Sequence, residues 1–153
     1  MKNINVFIDE EYEKLNEPLC KSIIKKILNQ YKYTSYDVNV IFTSDMHLSD
    51  LKKEFFSKDE WTDIIAFPLQ RDSKFIEGEI YISIPTAKKN ANLFKEPYKK
   101  ELGRLIVHGS LHLLGIEDKS TDQKKKMTIL EEKFLEDELW RCLLYTSPSP
   151  RDG

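Results

Sequence analysis

His108 and His112 stand four residues apart in the stretch His108-Gly109-Ser110-Leu111-His112-Leu113-Leu114-Gly115-Ile116-Glu117-Asp118. On an α-helix that step puts both imidazoles on one face, one turn apart. Gly115 follows where glycine commonly accepts the left-handed backbone that ends a helix. The chain can then turn back and bring an acid near the rings. Asp118 is the preferred third ligand. Glu117 is its local rival, and its side chain points elsewhere if the segment is extended. Two neutral imidazoles and a carboxylate make a three-ligand set for Zn2+ or another divalent ion, with a position open for water. Such an ion lowers the pKa of that water from about 15.7 to about 7 and polarises a carbonyl or phosphoryl oxygen, so hydrolysis is the natural reaction class. His108, His112 and Asp118 are the expected metal ligands. The bland alternative is a histidine pair making core hydrogen bonds, with Asp118 serving only as a cap or a partner for Lys119.

Position 109 is glycine, so the glutamate base of His-Glu-x-x-His proteases is absent. A small residue there leaves room for substrate or for another backbone. Lys100 and Arg104 precede His108 by two turns and one turn, near the histidine face. They are expected either to hold phosphate beside the metal or to form a solvated face. His47 lies in a distant polar stretch and is expected at the surface, as is Lys124-Lys125-Lys126.

The elements that must position these groups follow from periodicity. Residues 2–8 alternate through Ile4, Val6 and Ile8 and predict a strand. Glu17 to Tyr31 carries a helical stripe of Leu19, Ile23, Ile24, Ile27 and Leu28. Val38 to Thr43 predicts a second strand, and Ser44 or Asp45 caps a helix burying Leu48, Leu51, Phe55 and Phe56. Thr62 to Phe67 predicts a third strand ended by Pro68, with 69–77 a loop or hairpin connection. Gly78 to Ile84 alternates strictly and is the clearest strand. Pro85 and Pro97 open two helices. The second runs to about Leu114 and carries the histidines on a largely buried helix. Ser120-Thr121-Asp122-Gln123 fits a capping box before a last helix that buries Met127, Leu130, Phe134 and Leu135. Early strands and late helices predict an α+β fold, with about four strands in a small mixed sheet and about five packed helices.

The chain has 153 residues, 40% hydrophobic and 33% charged, with a net charge of −2. That fits one soluble domain over residues 1–140 and gives no bulk basicity for nucleic acid, leaving local basic patches to carry any such binding. Cys20 and Cys142 make neither a disulfide framework nor a cysteine zinc site, which fits a reducing cytosol. No signal-peptide core or membrane-length run is present. Residues 141–153 break the pattern. Leu143 to Asp152 looks like a translated sequencing adapter at a truncated end, foreign to the fold; a disordered tail is the alternative.

The histidine stretch resembles the YbeY family of bacterial endoribonucleases, also described as rRNA maturation factors. That family carries His-Gly-x-Leu-His-Leu-x-Gly, matched here by His108, Gly109, Leu111, His112, Leu113 and Gly115. Thr62-Asp63-Ile64-Ile65-Ala66-Phe67 and Gly78-Glu79-Ile80-Tyr81-Ile82-Ser83 resemble two further family segments, in the same order and spacing. The family's third histidine falls at Asp118, a competent zinc ligand. Most members carry an arginine shortly before the Thr-Asp segment. Phe56 stands there with Ser57 beside it, and Lys52, Lys58 and Arg104 are the candidate replacements. The resemblance implies a cytoplasmic, zinc-dependent endoribonuclease cutting single-stranded RNA in rRNA maturation and ribosome assembly. His108 and Arg104 would be catalytic, and ribosomal RNA and the small subunit or its assembly factors would be partners, with no DNA and no membrane. The alternatives are a metallohydrolase of another bond, including a peptidase, and a non-catalytic assembly factor with a structural metal.

Overall fold

Four strands among the described residues form one mixed sheet in the order β1-β2-β4-β3. They are β1 (Lys2–Ile8), β2 (Ser35–Thr43), β3 (Ile64–Arg71) and β4 (Phe75–Ser83). The computed structural model describes residues 1–56 and 62–145; Ser57, Lys58 and the Thr146–Gly153 end of the tail lie outside them. β1 and β4 both run parallel to β2, and β3 closes one edge antiparallel to β4. The helices are α1 (Glu17–Gln30), α2 (Asp45–Phe56), α3 (Ile84–Phe94), α4 (Tyr98–Leu113) and α5 (Thr121–Leu135). This is the expected α+β architecture, with both histidines on α4. No helix among the described residues is long and apolar enough to cross a membrane.

Alternation along the strands gives the sheet one apolar face. Val38, Val40 and Phe42 of β2 and Ile76, Ile80 and Ile82 of β4 are fully buried there. They share a core with Ile24, Ile27 and Leu28 of α1 and with Leu102, Leu105 and Ile106 of α4. Gly109 faces this sheet. A methyl group in its place would lie 2.6 Å from Ile80 Cγ2 and 2.8 Å from Ile64 Cδ1. The space left by the small residue is taken by the Ile80 and Ile64 side chains of the sheet, and not by another backbone.

Tyr36 is also in this core, 1% exposed, and its hydroxyl has no hydrogen-bond partner among the described residues. A buried, unbonded hydroxyl costs stability. Tyr36→Phe is expected to stabilise the protein by about 1 kcal/mol, read as a higher urea midpoint with an unchanged slope.

The expected cap before α2 is made by Ser44, whose Oγ accepts from the backbone N–H of His47. Asn16 and Ser83, not expected as caps from the sequence, cap α1 and α3. The Ser120–Gln123 capping box is complete. Two expectations about the strands and helices need correction. β3 does not stop at Pro68 but continues to Arg71, turning through Asp72 into β4. Proline is tolerated because β3 is an edge strand and its pairing shifts between Pro68 and Gln70. Asp72 Oδ1 accepts from the backbone N–H groups of Lys74 and Phe75, both at 2.8 Å, and these bonds hold its carboxyl below the usual range. The second correction concerns α2. Leu48 is buried, but Phe55 and Phe56 are 60% and 43% exposed. Both pack against Phe67 of the edge strand, at centroid separations of 5.5 and 5.7 Å, rather than entering the core.

The segment expected to stand apart, from residue 141, begins against the body. Trp140 and Leu143 are buried. Asn16 donates from its backbone to Leu143 O at 2.6 Å and from its side chain to Cys142 O at 3.0 Å.

Candidate metal centre

The last turns of α4 bring the two imidazoles together, with His108 Nε2 and His112 Nε2 2.9 Å apart. The helix then ends as the glycine predicts. Gly115 adopts φ +88°, its N–H donates to His112 O at 2.9 Å, and Ile116 N–H donates to Leu111 O at 3.1 Å. The returning chain places Asp118 Oδ2 3.3 Å from His108 Nε2 and Oδ1 3.4 Å from His112 Nε2. One ligating atom from each of the three residues falls within a 4.8 Å cluster. Glu117 is exposed and outside it, as alternation along an extended segment requires.

A fourth residue orders the cluster. Glu131 of α5, 4% exposed, lies 2.5 Å from His108 Nδ1. A carboxylate on Nδ1 holds the proton there and leaves the Nε2 lone pair facing His112 and Asp118. That is the arrangement of a metal-binding histidine, so the donor set fits a divalent ion on chemistry as well as spacing. Burial, and then the neighbouring His108 charge, push the His112 pKa down against the pull of Asp118, which favours the neutral ring that a metal needs.

Arg104 lies one turn before His108, but its fork is occupied. Nε and Nη2 donate to the two oxygens of Glu101 at 2.8 and 2.7 Å. Its other contacts are Glu131 at 3.5 Å and Asp63 at 3.6 Å. Burial works against the guanidinium charge, yet the hydrogen bonds and charges of these acids raise its pKa. Asp63 is itself pushed up by burial, opposed by Arg104 and His108, and also accepts from Asn90 at 3.0 Å. Lys100 is turned to Glu96 and Glu132, at 3.6 and 3.9 Å. His47 is exposed on α2, away from the cluster, with Nδ1 3.2 Å from Thr43 Oγ1.

The histidines and Asp118 open into a cleft of about 590 Å³, whose walls include Lys52, Phe56, Asp63 and Pro68. Lys52 Nζ sits 5.0 Å above the Phe56 ring. Spacing alone did not identify Glu131. Its signal was an acid inside the apolar stripe of Met127, Leu130, Phe134 and Leu135, where a charge needs a reason to be buried.

If Asp118 completes the ligand set, Asp118→Ala is expected to lower metal affinity by at least about tenfold while the fold persists. Metal content after equilibration against a competing chelator checks this. Wild-type affinity in the variant would return the third position to Glu117 or to water.

Comparison with known proteins bears on what such a cleft does. The family profile described as Endoribonuclease YbeY matches residues 3–138. An Endoribonuclease YbeY of Cytophaga hutchinsonii is 36% identical over 138 residues, covering 88% of this chain and 96% of that one. One of Phocaeicola vulgatus is 36% identical over 112 residues, covering 73% and 80%. The solution structure of a Thermotoga maritima protein superposes with a TM-score of 0.60 at 28% identity, covering 91% of this chain and 92% of that one.

Proposed function

Because the chain belongs to the YbeY endoribonuclease family, we propose that it is a cytoplasmic, zinc-dependent endoribonuclease that cuts single-stranded RNA in rRNA maturation and ribosome assembly. Ribosomal RNA is its substrate on this reading, and the small subunit or its assembly factors are its partners. The observation that carries the reading is the convergence of His108, His112 and Asp118 on the cleft floor, with Glu131 fixing the His108 ring.

His108, His112 and Asp118 would hold the ion. When bound, it supplies a Lewis acid beside the phosphoryl group and makes water a better nucleophile near neutral pH. The remaining work is done by side chains. Glu131 keeps the His108 proton on Nδ1, so that Nε2 stays a lone-pair donor. Arg104 neutralises Glu101, Glu131 and Asp63, and so serves the site from behind His108. The attacking oxygen is water or the neighbouring 2′-hydroxyl. In either case it forms a bond to phosphorus as the bond to the departing ribose oxygen breaks, and a proton ends on that oxygen.

A peptidase reading lacks its base, since residue 109 is a glycine pressed against Ile80. The test offers labelled single-stranded RNA, the matching duplex and a peptide library to the purified protein, with and without chelator. Cutting of the single strand alone, abolished by chelation, is the expected result. Peptide cleavage would move the protein to the alternative hydrolase class. Unfolding on metal loss, with nothing cut, would make the metal structural.

A further inference from the structure

A β-bulge puts an arginine where regular pairing would put a glutamine. β3 and β4 pair residue for residue from Ile64–Ile82 to Pro68–Gly78, and beyond Leu69 the pairing resumes as Gln70–Glu77 and Arg71–Ile76. Skipping one residue exchanges the two faces of the strand beyond it. Ile76 is fully buried on the helix-covered face. Its partner Arg71 is thereby carried to the side of the sheet where α4 ends.

There the guanidinium lies against Gly115. A methyl group on that glycine would lie 2.1 Å from Arg71 Nη1 and 2.9 Å from Cζ. The missing side chain therefore does two things: it permits the positive φ that ends α4, and it leaves the space the guanidinium fills. Arg71 is exposed and makes no ion pair among the described residues, whereas Arg104 is surrounded by acids.

Arg71, Pro68, His112 and Gly115 line a depression of about 270 Å³. The cleft over the histidines shares Pro68, His112 and Gly115 with it, so the two adjoin at His112. A strand lying over the histidines and leaving past His112 meets the Arg71 fork next. Guanidinium suits a phosphate there because its planar donors match two oxygens at once.

We propose that Arg71 is a phosphate-binding residue of this site, gripping the RNA backbone where the strand passes from the cleft over His112 into the depression beside Gly115. The inference rests on the RNA reading above. Arg71 would then supply binding, and the cluster at His108, His112 and Asp118 the chemistry. The purely structural alternative is a cation resting near the C-terminal end of α4.

The test compares metal-loaded wild type, Arg71→Ala and Arg71→Lys. It reads kcat and KM on labelled single-stranded RNA, and the affinity for a 2′-O-methyl oligonucleotide across a salt series. Metal content and melting temperature are recorded alongside. In Arg71→Ala, Kd and KM are expected to rise about tenfold. The slope of log K against log salt should shrink by about 0.7, with metal content unchanged. Arg71→Lys should keep the slope and recover part of the affinity, because charge survives without the fork. Unchanged affinity and slope in Arg71→Ala would overturn the proposal, and so would a lower melting temperature with an unchanged slope. Wild type that neither binds nor cuts single-stranded RNA would fell the RNA reading itself, and this inference with it.

Discussion

His112→Ala is expected to lose its metal and roughly a thousandfold of its RNA cleavage while remaining folded. Losing the ion removes several kcal/mol of charge stabilisation at the phosphoryl group, and each 1.36 kcal/mol is about a factor of ten in rate. His112 is the better ligand to remove. Its side chain is 29% exposed, against 14% for His108. Removing His108 would strand the buried Glu131 carboxylate 2.5 Å from where Nδ1 had been and confound activity with stability. The check is metal content, single-turnover cleavage of labelled single-stranded RNA, and a thermal melt on the same preparation. Cleavage at the wild-type rate by metal-free His112→Ala would remove the ion from the mechanism.

Arg104→Met is expected to destabilise the protein by about 2 to 3 kcal/mol. The substitution keeps the volume and deletes the cation among Glu101, Glu131 and Asp63. Glu101 and Glu131 are 3% and 4% exposed and cannot regain water without opening the structure. Arg104 itself is 27% exposed, which holds the cost below that of a fully buried pair. The loss should narrow in acid. Burial raises the Asp63 pKa in the folded protein, so its favourable contribution is present at low pH and is lost as pH rises through that value. Removing the opposing guanidinium enlarges this effect at neutral pH. Urea denaturation of both proteins at neutral and mildly acid pH measures the difference. A loss independent of pH would mean that packing, not charge, holds Arg104 in place.

The convergence of His108, His112 and Asp118 was legible in the sequence because its geometry is local. A four-residue helical step, a glycine that ends the helix and an acid on the returning chain need no knowledge of the rest of the fold. Strict alternation made β4 equally plain. What escaped was non-local. Glu131 reaches His108 from a helix that begins beyond the metal motif, and only packing of α5 on α4 brings them together. Helical spacing put Arg104 near the histidine face but could not show that Glu101 occupies its fork. Pro68 read as a strand end because proline donates no ladder bond, and only the edge position of β3 lets the strand continue. The bulge beyond Pro68 then hid Arg71, since a one-residue shift reverses the face that alternation assigns. Phe55 and Phe56 fit a buried stripe by spacing, yet the sheet beneath α2 offers them an edge rather than a core.

Zinc titrated into chelator-stripped protein, with single-stranded RNA cleavage read at each addition, shows whether the ion at His108, His112 and Asp118 carries the reaction. Stripped protein is expected to be folded and inactive, with cleavage rising as zinc is added until one ion is bound per chain and then levelling off. Undiminished cleavage by the stripped protein, or a site that fills with zinc while no RNA is cut, would contradict that expectation.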